Sequence, residues 1–195
     1  EVFMETGSSE MFEMTLGKVS QVNYRNVAGA AIRIIKGDTE VNASITDSSI
    51  ENLKKTALVL AGSFTGEKTA EVCEFVEKEV DKICNPTRVS SENAVEEIAL
   101  LTKASNAAMS AHEEIKQVIC TLTRKLQNIL VFASDGTYQT DYRCNMRLAV
   151  NCIASDGTTM HSIGKTSGKA IGLEQYDTVD VEAFAKGVAL DAVEM

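Results

Sequence analysis

Histidine is scarce in this chain, with His112 and His161 the two copies in 195 residues, and neither has another histidine within three to five positions. That spacing excludes a helix presenting two imidazoles to one zinc ion. The five cysteines, Cys73, Cys84, Cys120, Cys144 and Cys152, contain no Cys-x-x-Cys and are odd in number, which argues against a zinc ribbon or a disulfide framework. Several have apolar neighbours, as in Val118-Ile119-Cys120, so they read as buried thiols of a reducing compartment. Basic clusters are short, Lys54-Lys55 and Arg124-Lys125, in a chain of net charge −9. Phosphate neutralisation supplies most nucleic-acid affinity, so direct DNA binding is not expected. No stretch approaches the roughly 20 apolar residues of a membrane helix, and the acidic start Glu1-Val2-Phe3-Met4-Glu5 has no signal-peptide pattern. A cytoplasmic location is the expectation.

What is present is strand-like. Residues Ile129 to Thr159 contain two apolar runs punctuated by two copies of Ser-Asp-Gly-Thr. Asp-Gly between alternating hydrophobics predicts tight turns, because Gly takes the positive φ that such turns demand. Tyr142, Met146, Leu148, Val150 and Cys152 alternate with Asp141, Arg143 and Arg147, predicting a β-meander with one buried and one charged face. Upstream, Glu1 to Thr46 reads as short strands broken at Gly7-Ser8-Ser9, Leu16-Gly17-Lys18, Val27-Ala28-Gly29 and Lys36-Gly37-Asp38. Ser48-x-x-Glu51 then predicts a capping box for a helix running to Gly62, which would cover the sheet.

Gly62 to Gly66 reads as a hinge. Beyond it, Val72, Phe75, Val76, Val80 and Ile83 predict one face of a helix, with Glu71, Glu74, Glu77, Glu79 and Asp81 on its solvated side. A second helix is predicted over Ser91 to Glu113, with Val95, Ile98, Leu101, Ala104 or Ala108, and Met109 inward. Strands resume at Ile115 to Thr123, turn near Arg124-Lys125, and continue to about Ile171. Asp180 or Thr178 starts a last helix with Val181, Phe184, Ala185, Val188 and Ala192 on one face.

At 44% hydrophobic and 24% charged residues, the chain can bury a core of one domain or two small ones. The expected class is α+β: two antiparallel sheet regions with covering helices, joined by long amphipathic helices. The sections are 1–62, a linker and helix over 63–90, and a middle section over 91–195.

Three constellations invite chemistry. Gly164 to Ala170 resembles a phosphate loop, but only three residues separate Gly164 from Gly168, and Ala170 follows Lys169 where such a loop needs Ser or Thr. Asp135, Asp141 and Asp156 near Arg143 and Arg147 read as turn aspartates plus an exposed cross-strand ion-pair ladder. His112 lies near a predicted helix end, where the dipole favours a cation, and His161 in a polar strand or turn. No catalytic, cofactor-binding or metal-ligating residue is assigned.

The order Ser-Asp-Gly, Asp141-x-Arg143, Arg147-Leu148-x-Val150, second Asp-Gly, then Gly164, Gly168-Lys169 and Gly172 resembles the middle part of the TldD/PmbA family. Leu16-x-Lys18-Val19 and the Gly29-x-x-x-Arg33-x-x-x-Gly37 strand resemble its first section. The match is somewhat better to the TldD branch. Members of the family are zinc-dependent peptidases that also carried the label of DNA gyrase modulators. The resemblance implies an H-E-x-x-x-H helix and a later Cys in a C-terminal part, with zinc there and none in this chain. It implies as partners that C-terminal domain, a second copy of the protein or a paralogous subunit, and an unfolded peptide enclosed in a chamber. This chain would supply chamber wall and subunit contacts and be inactive alone, with the Gly164–Gly172 stretch a flexible loop near the other domain or subunit. The rival reading is a stand-alone peptide- or protein-binding module that works by strand addition. The two differ in whether the polypeptide continues past Met195.

Overall fold

The computed structural model describes residues 1–66, 73–77 and 84–195. Its elements are β1 (Val2–Thr15), β2 (Lys18–Lys36), β3 (Thr39–Ile45), α1 (Ile50–Ala61), β4 (Val76–Glu77), α2 (Val95–Met109), β5 (Ile115–Phe132), β6 (Thr137–Ser155), β7 (Met160–Lys169) and α3 (Val181–Val193). The fold is α+β and mostly antiparallel sheet. The strands follow one hydrogen-bonded order, β3-β2-β1-β5-β6-β4, with β7 on β6. The expected pair of separate sheet regions is therefore one sheet. The cause lies in strand length: β1, β2, β5 and β6 run for 14, 19, 18 and 19 residues.

Three expected breaks are absent. Gly7-Ser8-Ser9 and Val27-Ala28-Gly29 lie within β1 and β2, and Arg124-Lys125 lies within β5 rather than in a turn. Each continues because a neighbouring strand is hydrogen-bonded to it, and a glycine inside a paired strand lowers stability without ending it. The breaks at Leu16-Gly17 and Gly37-Asp38 are real hairpin loops. So are both Asp-Gly turns, where Gly136 and Gly157 take φ of 87° and 96°.

Contacts divide the chain into two compact units. The first comprises Glu1–Ser8, Asn26–Lys82 and Gln127–Arg143, the second Ser9–Arg25, Ile83–Leu126 and Cys144–Met195.

In the first unit β2 and β3 pair antiparallel from Ala30 with Ile45 to Lys36 with Thr39. Helix α1 begins one residue later than the predicted capping box: Ser49, not Ser48, is the cap, and its side chain accepts from Asn52 N–H at 3.4 Å. Helix α1 lies against β3 with Leu53, Ala57 and Leu60 half-buried, as predicted, but none of its residues is fully buried and Ile50, Leu58 and Val59 are exposed. The predicted helix across Val72 to Ile83 falls largely outside the described residues, as do Glu71, Glu79 and Asp81. Its described centre is not helical: Val76–Glu77 pairs parallel with Thr137–Tyr138. Phe75 packs edge-on against Phe132, which stacks on Tyr138 with centroids 5.0 Å apart. Aromatic contact and the ladder with β6 outweigh the helical spacing there.

The second unit is two-layered. The even positions of β6, from Cys144 to Ala154, are buried with Phe12 and Met14 of β1 and Val118, Cys120 and Leu122 of β5. Against them lie Leu101, Ala104, Ala107 and Ala108 of α2 and Val181, Ala185, Val188, Ala189 and Ala192 of α3. Alanines bring the helices close together. Helix α3 starts as predicted, with Asp180 accepting from Ala183 N–H at 2.9 Å. Helix α2 keeps Leu101, Ala104 and Ala108 inward as predicted, with Met109 packed against the core, and departs at its first turns, where Val95 is exposed and Ile98 borderline while Glu97 is buried.

Glu97 explains that departure. It is 1% exposed, accepts from Ser91 N–H at 3.1 Å and from the Ser91 hydroxyl, and pairs with Arg124 at 3.3 Å. Arg124 also pairs with Glu10 of β1 and donates to Val89 O at 2.7 Å. Removing the guanidinium leaves a buried carboxylate without its cation, so Arg124→Met should lower urea-measured stability by about 3–5 kcal/mol. The double variant Arg124→Met, Glu97→Leu should recover part of that loss, the measurement being the coupling energy of the cycle.

Candidate functional site

The first unit carries a cleft of about 410 Å³. Its walls come from Met4, Glu5 and Thr6 of β1, Gly29 of β2, Ser48, Asn128 to Leu130 of β5 and Thr140 to Tyr142 of β6. Strand alternation sets its chemistry, since neighbouring strands bring Met4, Leu130 and Tyr142 beside threonines and an asparagine. Glu5 accepts from Gln127 Nε2 at 2.8 Å, and Asp141 accepts from Arg143 Nε at 2.7 Å. Both carboxylates are thereby held as structural acceptors. Hydroxyl, amide and apolar groups of this kind bind a ligand; they do not form a nucleophile and base in hydrogen-bond reach.

The structure separates the carboxylates and guanidinia that the sequence groups. Asp135 accepts from Thr137 N–H at 2.9 Å in the turn before β6, and Asp156 sits in the turn after it. These are turn aspartates, as read. The expected cross-strand ladder is corrected: Asp141 pairs with Arg143 two positions along the same strand. Asp156 accepts from the N–H groups of Thr159 and Thr158, both at 2.7 Å, and from the Thr158 hydroxyl at 2.8 Å. These bonds hold its carboxyl well below the ordinary range. His112 follows α2 and accepts from Glu114 N–H at 3.3 Å through Nδ1, and His161 lies in β7 opposite Ala154.

Residues Gly164 to Lys169 do not form the expected flexible loop. They are strand, with Gly164 opposite Asn151 and Gly168 opposite Arg147. A Cβ at Gly168 would lie 2.8 Å from Met146 O, so glycine here permits close strand approach rather than mobility. No group of three or more His, Cys, Asp or Glu able to hold a metal occurs among the described residues.

Cys84, Cys120, Cys144 and Cys152 are buried and Cys73 is exposed. Cys84 Sγ accepts from Cys144 N–H at 3.0 Å. Burial pushes the thiols of Cys120 up to about 12 and of Cys152 and Cys144 up to about 11. Sequence reasoning missed two further devices. One is the Glu10–Arg124–Glu97 chain, whose only sequence signal is a charged residue at a core-facing helical position. The other is Glu174, which accepts from the N–H groups of Thr87, Gly172 and Arg88 and fixes the segment before α2 to the turn after β7. Burial works against its charge, but those backbone donors outweigh it and hold the carboxyl below its usual value.

Comparison with known proteins completes the assignment. Residues 84–195 match the PmbA/TldA metallopeptidase central domain, and residues 1–61 match PmbA/TldA metallopeptidase domain 1. The chain belongs to the TldD/PmbA family. It is 23% identical over 160 residues to a metalloprotease TldD homologue of Buchnera aphidicola from Acyrthosiphon pisum, across 80% of this chain and 32% of that protein. A second such homologue, of Buchnera aphidicola from Schizaphis graminum, is 19% identical across the same shares. The chain thus spans about a third of the length of these curated relatives. Its fold matches a candidate DNA gyrase modulator of Thermotoga maritima with TM-score 0.71 at 15% identity, over 98% of this chain and 44% of that one. TldE of Thermococcus kodakarensis matches with TM-score 0.54 at 15% identity, over 99% and 43%.

Two measurements follow from these environments. With a thiol reagent at pH 8, Cys73 should react rapidly and the four buried cysteines only on unfolding. Counting labelled sites by mass spectrometry, two or more rapid reactions in the folded chain would refute the burial. Asp156 and Glu174 have depressed values in the folded state, so the stability they contribute is present above about pH 4, the unfolded carboxylate range, and is lost as pH falls. The urea midpoint should decline below about pH 4, and Asp156→Asn with Glu174→Gln should flatten that acid limb.

Proposed function

We propose that this chain is the non-catalytic N-terminal and middle part of a TldD-type metallopeptidase that degrades or processes peptides, and that it supplies chamber wall and subunit contacts. The observation that carries the reading is the pair of family matches, domain 1 followed by the central domain, in a chain whose two histidines lie 49 positions apart, at 112 and 161. Zinc chemistry would then belong to a further domain, whose ligands would hold the metal and which would supply carbonyl polarisation and an activated water. The sections 1–62, 63–90 and 91–195 are the proposed organisation. The partners are the polypeptide's own C-terminal domain, a second copy of the protein or a paralogous subunit, and unfolded peptide, in the cytoplasm.

The cleft in the first unit supports a wall role. It offers apolar surface and uncharged polar groups to an extended chain, without a group placed to attack a carbonyl. The exposed apolar residues of α1, Ile50, Leu58 and Val59, suit a helix that meets another polypeptide segment.

The test is direct. The 195-residue chain should bind less than a tenth of an equivalent of zinc by metal analysis, on the order of contaminating metal for a chain without a closed ligand set. It should also leave casein and unfolded peptides intact. Stoichiometric zinc, or peptide cleavage that a chelator abolishes, would overturn the placement of the chemistry outside this chain.

A further inference from the structure

The cleft of the first unit carries side chains that the fold leaves uncommitted. Among the described residues, the side chains of Thr6, Ser48 and Asn128 on its wall make no hydrogen bond, although each can donate and accept. The half-buried Glu5 accepts from Gln127 Nε2 at 2.8 Å, a neutral donor, and no cation pairs with it among the described residues. Asp141 is balanced by Arg143, but at side-chain exposures of 35% and 56% that pair is screened by water. Neither lysine, arginine nor histidine lines the cleft among the described residues. Two carboxylates, one of them without a counter-ion, therefore stand beside the apolar side chains of Met4, Ile129 and Leu130.

Each feature selects a property of the ligand. A carboxylate without a counter-ion, at a partly apolar wall, attracts a cation and repels an anion. The apolar lining accepts an aliphatic stem of the kind that lysine and arginine carry below their charge. The uncommitted hydroxyls and amide call for N–H and C=O groups, which a simple alkylamine lacks beyond its ammonium and an extended peptide supplies at every residue. At about 410 Å³, the cleft falls within the roughly 300–1,000 Å³ of ligand sites.

We propose that this cleft is a subsite for a lysine or arginine side chain of an extended peptide, with Glu5 taking the charge on Oε2, the oxygen that Gln127 does not use. The aliphatic stem lies along Met4, Ile129 and Leu130, and peptide groups on either side of the basic residue pair with Thr6, Ser48 and Asn128. Asp141 adds a weaker attraction from the β6 side. An acidic residue at the same peptide position meets Glu5 with no cation between them and is rejected. The net charge of −9 favours the approach of a basic peptide in the same sense. The inference rests on the peptide-handling part of the proposed function and gives it a charge preference; the zinc and cleavage measurements are independent of its outcome.

Chemical-shift titration of the isotope-labelled 195-residue chain tests it, with the capped peptide Ac-Ala-Leu-Lys-Leu-Ala-NH2 and the same peptide carrying norleucine or glutamate in place of lysine. The lysine peptide should shift the amides of Met4 to Thr6, Asn128 to Leu130 and Thr140 to Tyr142. It should bind about tenfold more tightly than the norleucine peptide, with the glutamate peptide weakest. Glu5→Gln keeps an amide oxygen to accept from Gln127, and should remove the preference for lysine while leaving the norleucine peptide unchanged. If that variant does not fold, the wild type alone decides, since added salt should weaken the lysine peptide and not the norleucine one. Equal binding of the three peptides overturns the charge preference and leaves peptide binding standing; binding of none overturns both. Shifts outside the cleft, or a lysine preference undiminished in Glu5→Gln, overturn the subsite. So does butylamine binding as tightly as the lysine peptide, which would make the cleft a site for free amines.

Discussion

The Arg124 guanidinium is the constraint on which the second unit is arranged. A long strand of alternating apolar residues can slide or turn over only if nothing polar on its core side has a unique partner. Arg124 removes that freedom, because its donors go to Glu10 on β1, Glu97 on α2 and Val89 O in the segment before α2. Both of its carboxylate partners are at least three-quarters buried, so a misplaced register would leave charge without compensation. The helix consequently turns its Glu97 side inward and accepts the exposure of Val95, although an apolar count alone places Val95 inside. Electrostatic pairing sets the first turns of the helix, and alanines at 104, 107 and 108 then let α3 approach.

This hierarchy accounts for what the sequence revealed. The two Asp-Gly turns and the alternation through β6 were legible, because each is a local signal with a local cause: a positive φ at glycine and a period of two. The start of α3 was legible for the same reason, Asp180 being its own cap. The turn expected near Arg124-Lys125 is absent because Arg124 is held inside β5 by partners on other elements, and nothing within β5 reports that Glu10 and Glu97 lie opposite. The breaks assigned to Gly7-Ser8-Ser9 and Val27-Ala28-Gly29 failed similarly. Glycine inside a strand costs stability, but pairing with neighbours decides whether the strand continues.

The candidate site was less legible than the fold. The cleft is assembled from β1, β2, β5 and β6, elements far apart in sequence, and of its lining residues only Gly29 and Asp141 belong to the quoted motifs. The residues that do look chemical in the sequence, the aspartates and arginines of the meander, are used by the fold itself. Asp135 and Asp156 close turns, and Asp141 holds Arg143. A carboxylate that already accepts three hydrogen bonds, as Asp156 does, is stabilised as an anion and is a poor proton acceptor in catalysis.

The same accounting bears on what is left unsatisfied. In the second unit, core apolar surface is shared between the sheet and two helices, and its buried carboxylate is partnered. Apart from the buried Gln175 Oε1, which has no hydrogen-bond partner, what remains open there among the described residues is backbone: the outward N–H and C=O groups of β2 between Lys18 and Arg25. Water satisfies such groups, so the open edge alone costs little. Leu16 and Gly17, whose φ of 50° and 75° close the hairpin, thus determine both the pairing of β1 with β2 and which amides of β2 face away from it.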